Sequence, residues 1–183
     1  MRLAFWRREK AERKEVKPSD ILDSVSIIRA RLARRVRDIE ARERELFEQV
    51  VRAHMERDKE RAVMYAEELA ELRRALRRLV HANLLLEGVF YRIEAIKDLQ
   101  DAGRVILPLK EILAMASQEI RGVAPAAADE LDKLVNMVED LSVEVGGFSE
   151  PVIAETKLSD EARKILEEAS AIAAQRRGEK SLG

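Results

Sequence analysis

KERAVMYAEELAELRRALRRLVHANLLLEGVFYRIEAIKDLQDAGRVIL, residues 59–107, decides the fold. It carries no proline before Pro108 and reads as heptads. Leu69, Leu76, Asn83 and Phe90 recur at seven, and Leu72, Leu79, Leu86 and Ile93 form a second set three residues behind. Alternating three-four spacing puts both sets on one helix face as a packing seam. A helix over Lys59–Gln100 would be a rod of about 60 Å at ~1.5 Å per residue. Such a rod cannot bury its seam against itself, so it needs a partner.

Working outward, Val25, Leu32, Ile39 and Leu46 recur at the same interval before it, widened by Ile21, Ile28, Val36 and Val50. Pro18 and Ser19 mark the start of this first helix, with Ser19 as the N-cap and Asp20 and Asp23 in the first turn. It should run to about His54. The segment between, Met55–Lys59, has no seam residue, and a turn near Arg57–Asp58 brings the two helices into register. Leu46 then faces Leu69, Ile39 faces Leu76, Leu32 faces Asn83 and Val25 faces Phe90, every pair adding to 115. The first helix is thereby the missing partner, in an antiparallel hairpin over about 19–107. Asn83, polar in an apolar layer, would fix register at a cost in stability.

The long helix is apolar on more than one side. Ala75, Ala82, Val89 and Ile96 form a second strip, and Leu84, Leu85 and Leu86 are consecutive, so they cannot share one partner. Later helices or another copy of the chain must cover the rest. Gly103 and Pro108 are expected to loosen or kink the helix before a short segment at about 109–121 ended by Gly122. Pro125 opens the next helix, to about 145, with an apolar stripe and an acidic exterior. Residues 148–158 read as a linker. A last amphipathic helix, 159–178, carries Ile165, Leu166, Ala169 and Ile172 as a narrow stripe closed by Arg176. It reads either as a tethered docking motif or as a helix packed back on the hairpin.

Composition agrees with an all-α, elongated protein. Of 183 residues, 46% are hydrophobic and 38% charged, but only 4% aromatic, with seven glycines and four prolines, a balance that favours long helices over strands. There is no cysteine, which excludes disulfide and thiolate chemistry. No uncharged run approaches the ~18 residues that span a bilayer. Net charge is −1, yet residues 1–107 hold 25 basic against 20 acidic side chains and residues 108–183 hold 9 against 15. A basic body with an acidic tail suits an anionic partner for the body and a tail able to mask it.

The leader, residues 1–17, mixes Leu3, Phe5 and Trp6 with Arg2, Arg7, Arg8, Lys10, Arg13 and Lys14. Apolar rings among basic groups suit an interfacial membrane anchor. The alternative is a basic tail, free or folded onto the body. Catalytic patterns fail: there is no Gly-rich phosphate loop, no HExxH, and no Glu-x-x-His, since Val51 and Arg78 stand three before His54 and His81. No enzyme, metal site or cofactor is expected. The absence of a sustained basic stripe in 56–107, with ten charges of each sign, argues against nucleic acid.

The stretches RDKERAVMYAEELAELRRALRRLVHANLLLEGVFYRIEAI (Arg57–Ile96) and PAAADELDKLVNMVEDLSVEVGG (Pro125–Gly147) resemble ESCRT-III proteins, and more narrowly the archaeal Cdv cell-division (CdvB) type. The likeness spans about residues 20–147 and lies in periodicity, spacing and charge. It implies a protein that switches between a closed form and an open one whose copies polymerise into filaments on anionic membrane, with paralogous subunits as partners. It further implies membrane constriction or scission in cytokinesis or vesicle release, and a cytoplasmic location at the membrane, including the division site. Disassembly by an AAA ATPase, docking through its MIT domain on the C-terminal helix, belongs to the same pattern. Here Leu166, Ile172 and Arg176 fit that motif only loosely, and Ala169 and Ser170 stand where larger residues or arginine are expected. The rival readings are a PspA-type membrane-stabilising protein and a membrane-independent coiled-coil scaffold.

Overall fold

The computed structural model describes residues 16–96, 99–144 and 160–180. Helices are α1 (Pro18–Met55), α2 (Lys59–Glu94), α3 (Leu99–Ile120), α4 (Pro125–Glu144) and α5 (Asp160–Lys180), with no strand among the described residues. The chain divides into two units, Met1–Ser149 with α1–α4 and Glu150–Gly183 with α5.

The N-cap of α1 lies two residues before the expected one. Lys17 is the N-cap and Pro18 the first helical residue, where its missing N–H costs nothing. Asp20, rather than Ser19, closes the end: its Oδ2 accepts from the Lys17 backbone N–H at 3.0 Å. The turn lies where the register requires it. Arg57 adopts the left-handed conformation at φ 60°, and the Asp58 N–H reaches back to the Ala53 carbonyl at 3.0 Å, a Schellman closure. Asp58 then caps α2 by accepting from the Arg61 N–H at 3.0 Å.

The expected bend at Gly103 and Pro108 is displaced. Helix α2 stops at Glu94, and α3 starts at Leu99 and runs through both residues to Ile120. Pro108 is exposed, and as an interior proline it forfeits one backbone hydrogen bond of α3. What forces the earlier break is burial. Folding α3 back onto α2 takes Ile106, Leu109, Leu113 and Ile120 out of solvent, all 0% exposed. At about 1.5–3 kcal/mol per large side chain that contributes roughly 6–12 kcal/mol, more than a helix interruption costs. The short connection at 121–124 then turns α4 back along α3, with Ala124 and Val123 N–H groups returning to the Ile120 carbonyl.

Helix α2 packs on α1 and α3, and α4 packs on α3 and α1. One end of the hairpin is thus a four-helix core, centred on Val25, Leu32, Leu79, Leu86, Leu113 and Leu134. The other end, toward the turn, has only two helices, held by Leu46, Ala53, Ala62 and Leu69. The three consecutive leucines divide as their spacing demands: Leu86 is buried, Leu85 half-buried and Leu84 exposed.

Candidate assembly surface

The hairpin seam is asymmetric. Val25, Leu32, Ile39 and Leu46 on α1 are buried, as is Leu69 on α2, but Leu76, Asn83 and Phe90 are half-buried. Helix α2 is rolled so that Leu79, Ala82, Leu86, Val89 and Ile93 take the deepest positions, because it must feed α3 as well as α1. Arg73 donates from Nε and Nη2 to Glu43 at 2.8 and 2.7 Å, and Arg29 pairs with Glu87 at 3.4 Å. Residue numbers in both ion pairs add to 116. The Arg29 guanidinium also lies 5.7 Å from the Phe90 ring centre, a cation–π contact. Beside it the Arg29 Nε and Asn83 Oδ1 are buried without hydrogen-bond partners. An unmet polar atom in the seam carries a stability cost.

The two helical pairs are joined by few polar contacts. Arg31 on α1 pairs with Glu130 on α4, and His81 Nδ1 on α2 lies 2.6 Å from Glu119 Oε2 on α3. By contrast α3 and α4 are tied closely to each other. Ser117, 1% exposed, donates to Asp132 at 2.6 Å, and Arg121 reaches Asp132 at 2.6 Å and Ser117 Oγ at 3.0 Å. Lys110 adds a pair with Glu139 at 2.9 Å. The Ser117 hydroxyl, and then the Arg121 guanidinium, hold the Asp132 carboxyl below its ordinary range. Nothing in the sequence marked Ser117; the only available signal was a lone serine on the apolar face of α3.

Beyond the reach of α3 and α4, apolar side chains stay in water. Phe47, Val51 and Met55 on α1 are 47, 38 and 79% exposed, and Val63 and Met64 on α2 are 58 and 56% exposed. On one flank Phe47, Val50, Ala66, Leu69 and Ala70 line a groove bordered by Arg73, Arg74 and Arg77. A contiguous apolar patch with a charged rim marks an interaction surface. The small Ala66 and Ala70 allow another helix to approach closely. Along α2, Val80, Leu84 and Tyr91 add an exposed strip.

The remaining expected sites are placed as follows. Leader residues Arg2, Leu3, Phe5, Trp6, Arg7, Arg8, Lys10, Arg13 and Lys14 lie outside the described residues, as does the linker at 148–158. Gly103 and Pro108 are inside α3. In α5, Ile165, Leu166, Ala169, Ile172 and Arg176 are all exposed. Among the described residues no helix is long and apolar enough to cross a membrane, and no cluster of His, Asp and Glu could hold a metal.

No family model matches the chain, and no solved structure matches it. Two curated relatives do. Cell division protein B of Sulfolobus acidocaldarius is 32% identical over 143 residues, covering 78% of this chain and 55% of that protein. Cell division protein B1 of the same organism is 37% identical over 142 residues, 78% of this chain and 66% of the relative. The chain thus spans between about half and two thirds of the length of these relatives. The aligned share is long enough to include most of the four-helix unit, whose order and apolar pattern are those the sequence resemblance implied. The chain belongs to the family of these archaeal cell division proteins, the Cdv type of ESCRT-III protein.

Proposed function

We propose that the chain is a structural, polymer-forming protein that assembles on anionic membrane and drives its constriction in cell division. The single observation that carries this reading is the uncovered outer half of the hairpin. Phe47, Met55, Val63 and Met64 expose apolar surface that neither α3 nor α4 covers. A second copy offers the simplest cover, since a repeated head-to-side contact builds a filament from one interface. Both relatives are named cell division proteins, which supports the biological setting. The leader supplies the lipid contact, with Leu3, Phe5 and Trp6 in the interface and basic groups on anionic headgroups. Paralogous subunits share the polymer, and α5 offers Leu166, Ile172 and Arg176 to an MIT-type partner.

The test uses the full chain and a chain lacking residues 1–15. Both are pelleted with anionic and neutral vesicles over a salt series and then imaged by negative stain. The full chain should pellet with anionic vesicles only, lose binding as salt rises, and form filaments on the lipid. Equal pelleting of the two chains removes the leader from the reading. A full chain that stays monomeric on anionic vesicles at high concentration removes the polymer.

A further inference from the structure

Helices α1 and α4 run antiparallel, since Arg31 meets Glu130 while Ser24 and Ile27 lie across from Leu134 and Met137. Between them is an apolar groove with a buried floor, Ile28 and Leu134, and an open lip, Ile27, which is 54% exposed. The leader enters the fold at one end of this groove. Val16 is half-buried against the core and Lys17 caps α1, so the described chain begins at the end of α1 that the antiparallel pairing sets toward the C-terminal part of α4. That end of the groove is acidic: Asp23 on α1 and Asp140 on α4 are exposed there, next to the negative end of the α4 dipole. Residues 1–15 hold six basic and three acidic side chains. The groove itself carries Arg31 and Lys133 beside Glu130, and Asp129, Asp132 and Glu139 of α4 are paired with Arg121 and Lys110, so the charge complementary to the leader is confined to the end at Asp23 and Asp140.

Reach selects this groove over the outer half of the hairpin. Trp6 is ten residues from Val16 and can lie no farther than about 33–36 Å from it. Ile27 is about 14 Å along α1 from Pro18, but Phe47 is about 44 Å along it. The exposed strip at Val80, Leu84 and Tyr91 is also within range, with Arg77 and Arg78 toward one end and Glu87 and Glu94 toward the other, and the Leu84→Asp variant below tests it.

We propose that, away from lipid, the leader folds back on its own chain and stores Leu3, Phe5 and Trp6 in the α1–α4 groove. Lifting α4 off α1 dismantles the groove, so opening of the four-helix end and release of the leader are one event. By linkage, a membrane that captures the leader favours the open form by the same factor by which opening favours capture. The docking itself needs only the groove. The coupling to lipid rests on the proposed anchor role of the leader.

Trp6 is the chain's single tryptophan, so its fluorescence reports the contact directly. The assay is acrylamide quenching of the full chain, lipid-free and dilute, against a peptide of residues 1–15. If the leader is docked for about two thirds of the time, the chain's quenching constant is roughly threefold below the peptide's, with blue-shifted emission. Ile27→Asp should restore the peptide's value at unchanged helicity, since Ile27 is already half in water, and Leu84→Asp should not. Quenching equal to the peptide's in the unaltered chain overturns the proposal. So does loss of protection in Leu84→Asp rather than Ile27→Asp, or protection that grows with protein concentration. Vesicles of phosphatidylserine and phosphatidylcholine separate the two layers. Ile27→Asp should bind them at severalfold lower lipid than the unaltered chain. If deleting residues 1–15 leaves vesicle binding unchanged, the anchor role fails, while the docking still stands or falls on Trp6.

Discussion

Leu79 and Leu69 have the same side chain on the same helix and are 0 and 5% exposed, yet their surroundings differ. Leu79 is enclosed by α1 and α3 in the four-helix core, whereas Leu69 is held by α1 alone, on the floor of an open groove. Truncating a buried leucine to alanine costs 2–5 kcal/mol, the spread reflecting how far the site can collapse or admit water. Leu79→Ala should leave a closed cavity and cost about 4 kcal/mol, near the top of that range. Leu69→Ala opens onto solvent and should cost about 2 kcal/mol. In urea, with a slope of about 2 kcal/mol per molar, the midpoint should fall by roughly 2 M and 1 M respectively. The measurement is far-ultraviolet circular dichroism against urea at a concentration where the chain is monomeric. Native-state hydrogen exchange adds a spatial readout: amides of α2 near Leu69 should exchange sooner than those near Leu79 in the unaltered chain. If Leu69→Ala costs as much as Leu79→Ala, the division into a four-helix end and a two-helix end is wrong.

Other expectations follow from particular contacts. Cysteines at Ile39 and Leu76 should form a disulfide within one chain, whereas cysteines at Ile39 and Leu99 should not, as judged on non-reducing gels; the chain has no native cysteine to interfere. Ser117→Ala removes the buried hydroxyl from Asp132 and should cost about 1 kcal/mol, read from the same urea titration. Because Ser117 and Arg121 depress the Asp132 carboxyl, its contribution is present above the ordinary aspartate value near ~3.9 and is lost as pH falls through the lower folded value. Asp132→Asn should therefore flatten the acid limb of stability against pH below about 4, and an unchanged limb would discount the cluster. Met55→Asp with Val63→Asp should change stability by under about 0.5 kcal/mol each, since both are exposed, and yet abolish filaments on anionic vesicles.

The hairpin was legible because its signal is periodic. Two helices with apolar residues at three and four, and a seam-free Met55–Lys59 between them, leave little freedom for the turn, and Asp58 caps the second helix within one residue of the expected point. The end of α2 at Glu94 was not legible. Ala95 and Ile96 carry no glycine or proline signal, and what ends α2 there is the distant burial of Leu109 and Leu113. Pro108 stays within α3 for the complementary reason: a local breaker on a solvent face yields to a buried opposite face. Ser19 lost the cap to Lys17 because Pro18 had already set the first helical φ and Asp20 supplied the acceptor. The contacts that fasten α3 to α4 depend on which side chains a tertiary fold brings together, so Ser117 and Arg121 could not be singled out beforehand.

Arg57, the one non-glycine residue with positive φ among the described residues, gives the hairpin tip a distinctive chemistry. The side chain is exposed, and the left-handed backbone costs about 1–2 kcal/mol that a glycine would not incur. A solvent-facing arginine on strained backbone is a natural place for trypsin to cut, ahead of the arginines held within the helices. Severing the chain there would spare the mutual grip of the two arms, because Leu32, Leu79 and Leu86 clasp one another at the far end. Limited digestion should therefore yield a nicked molecule that migrates as one species until it is denatured.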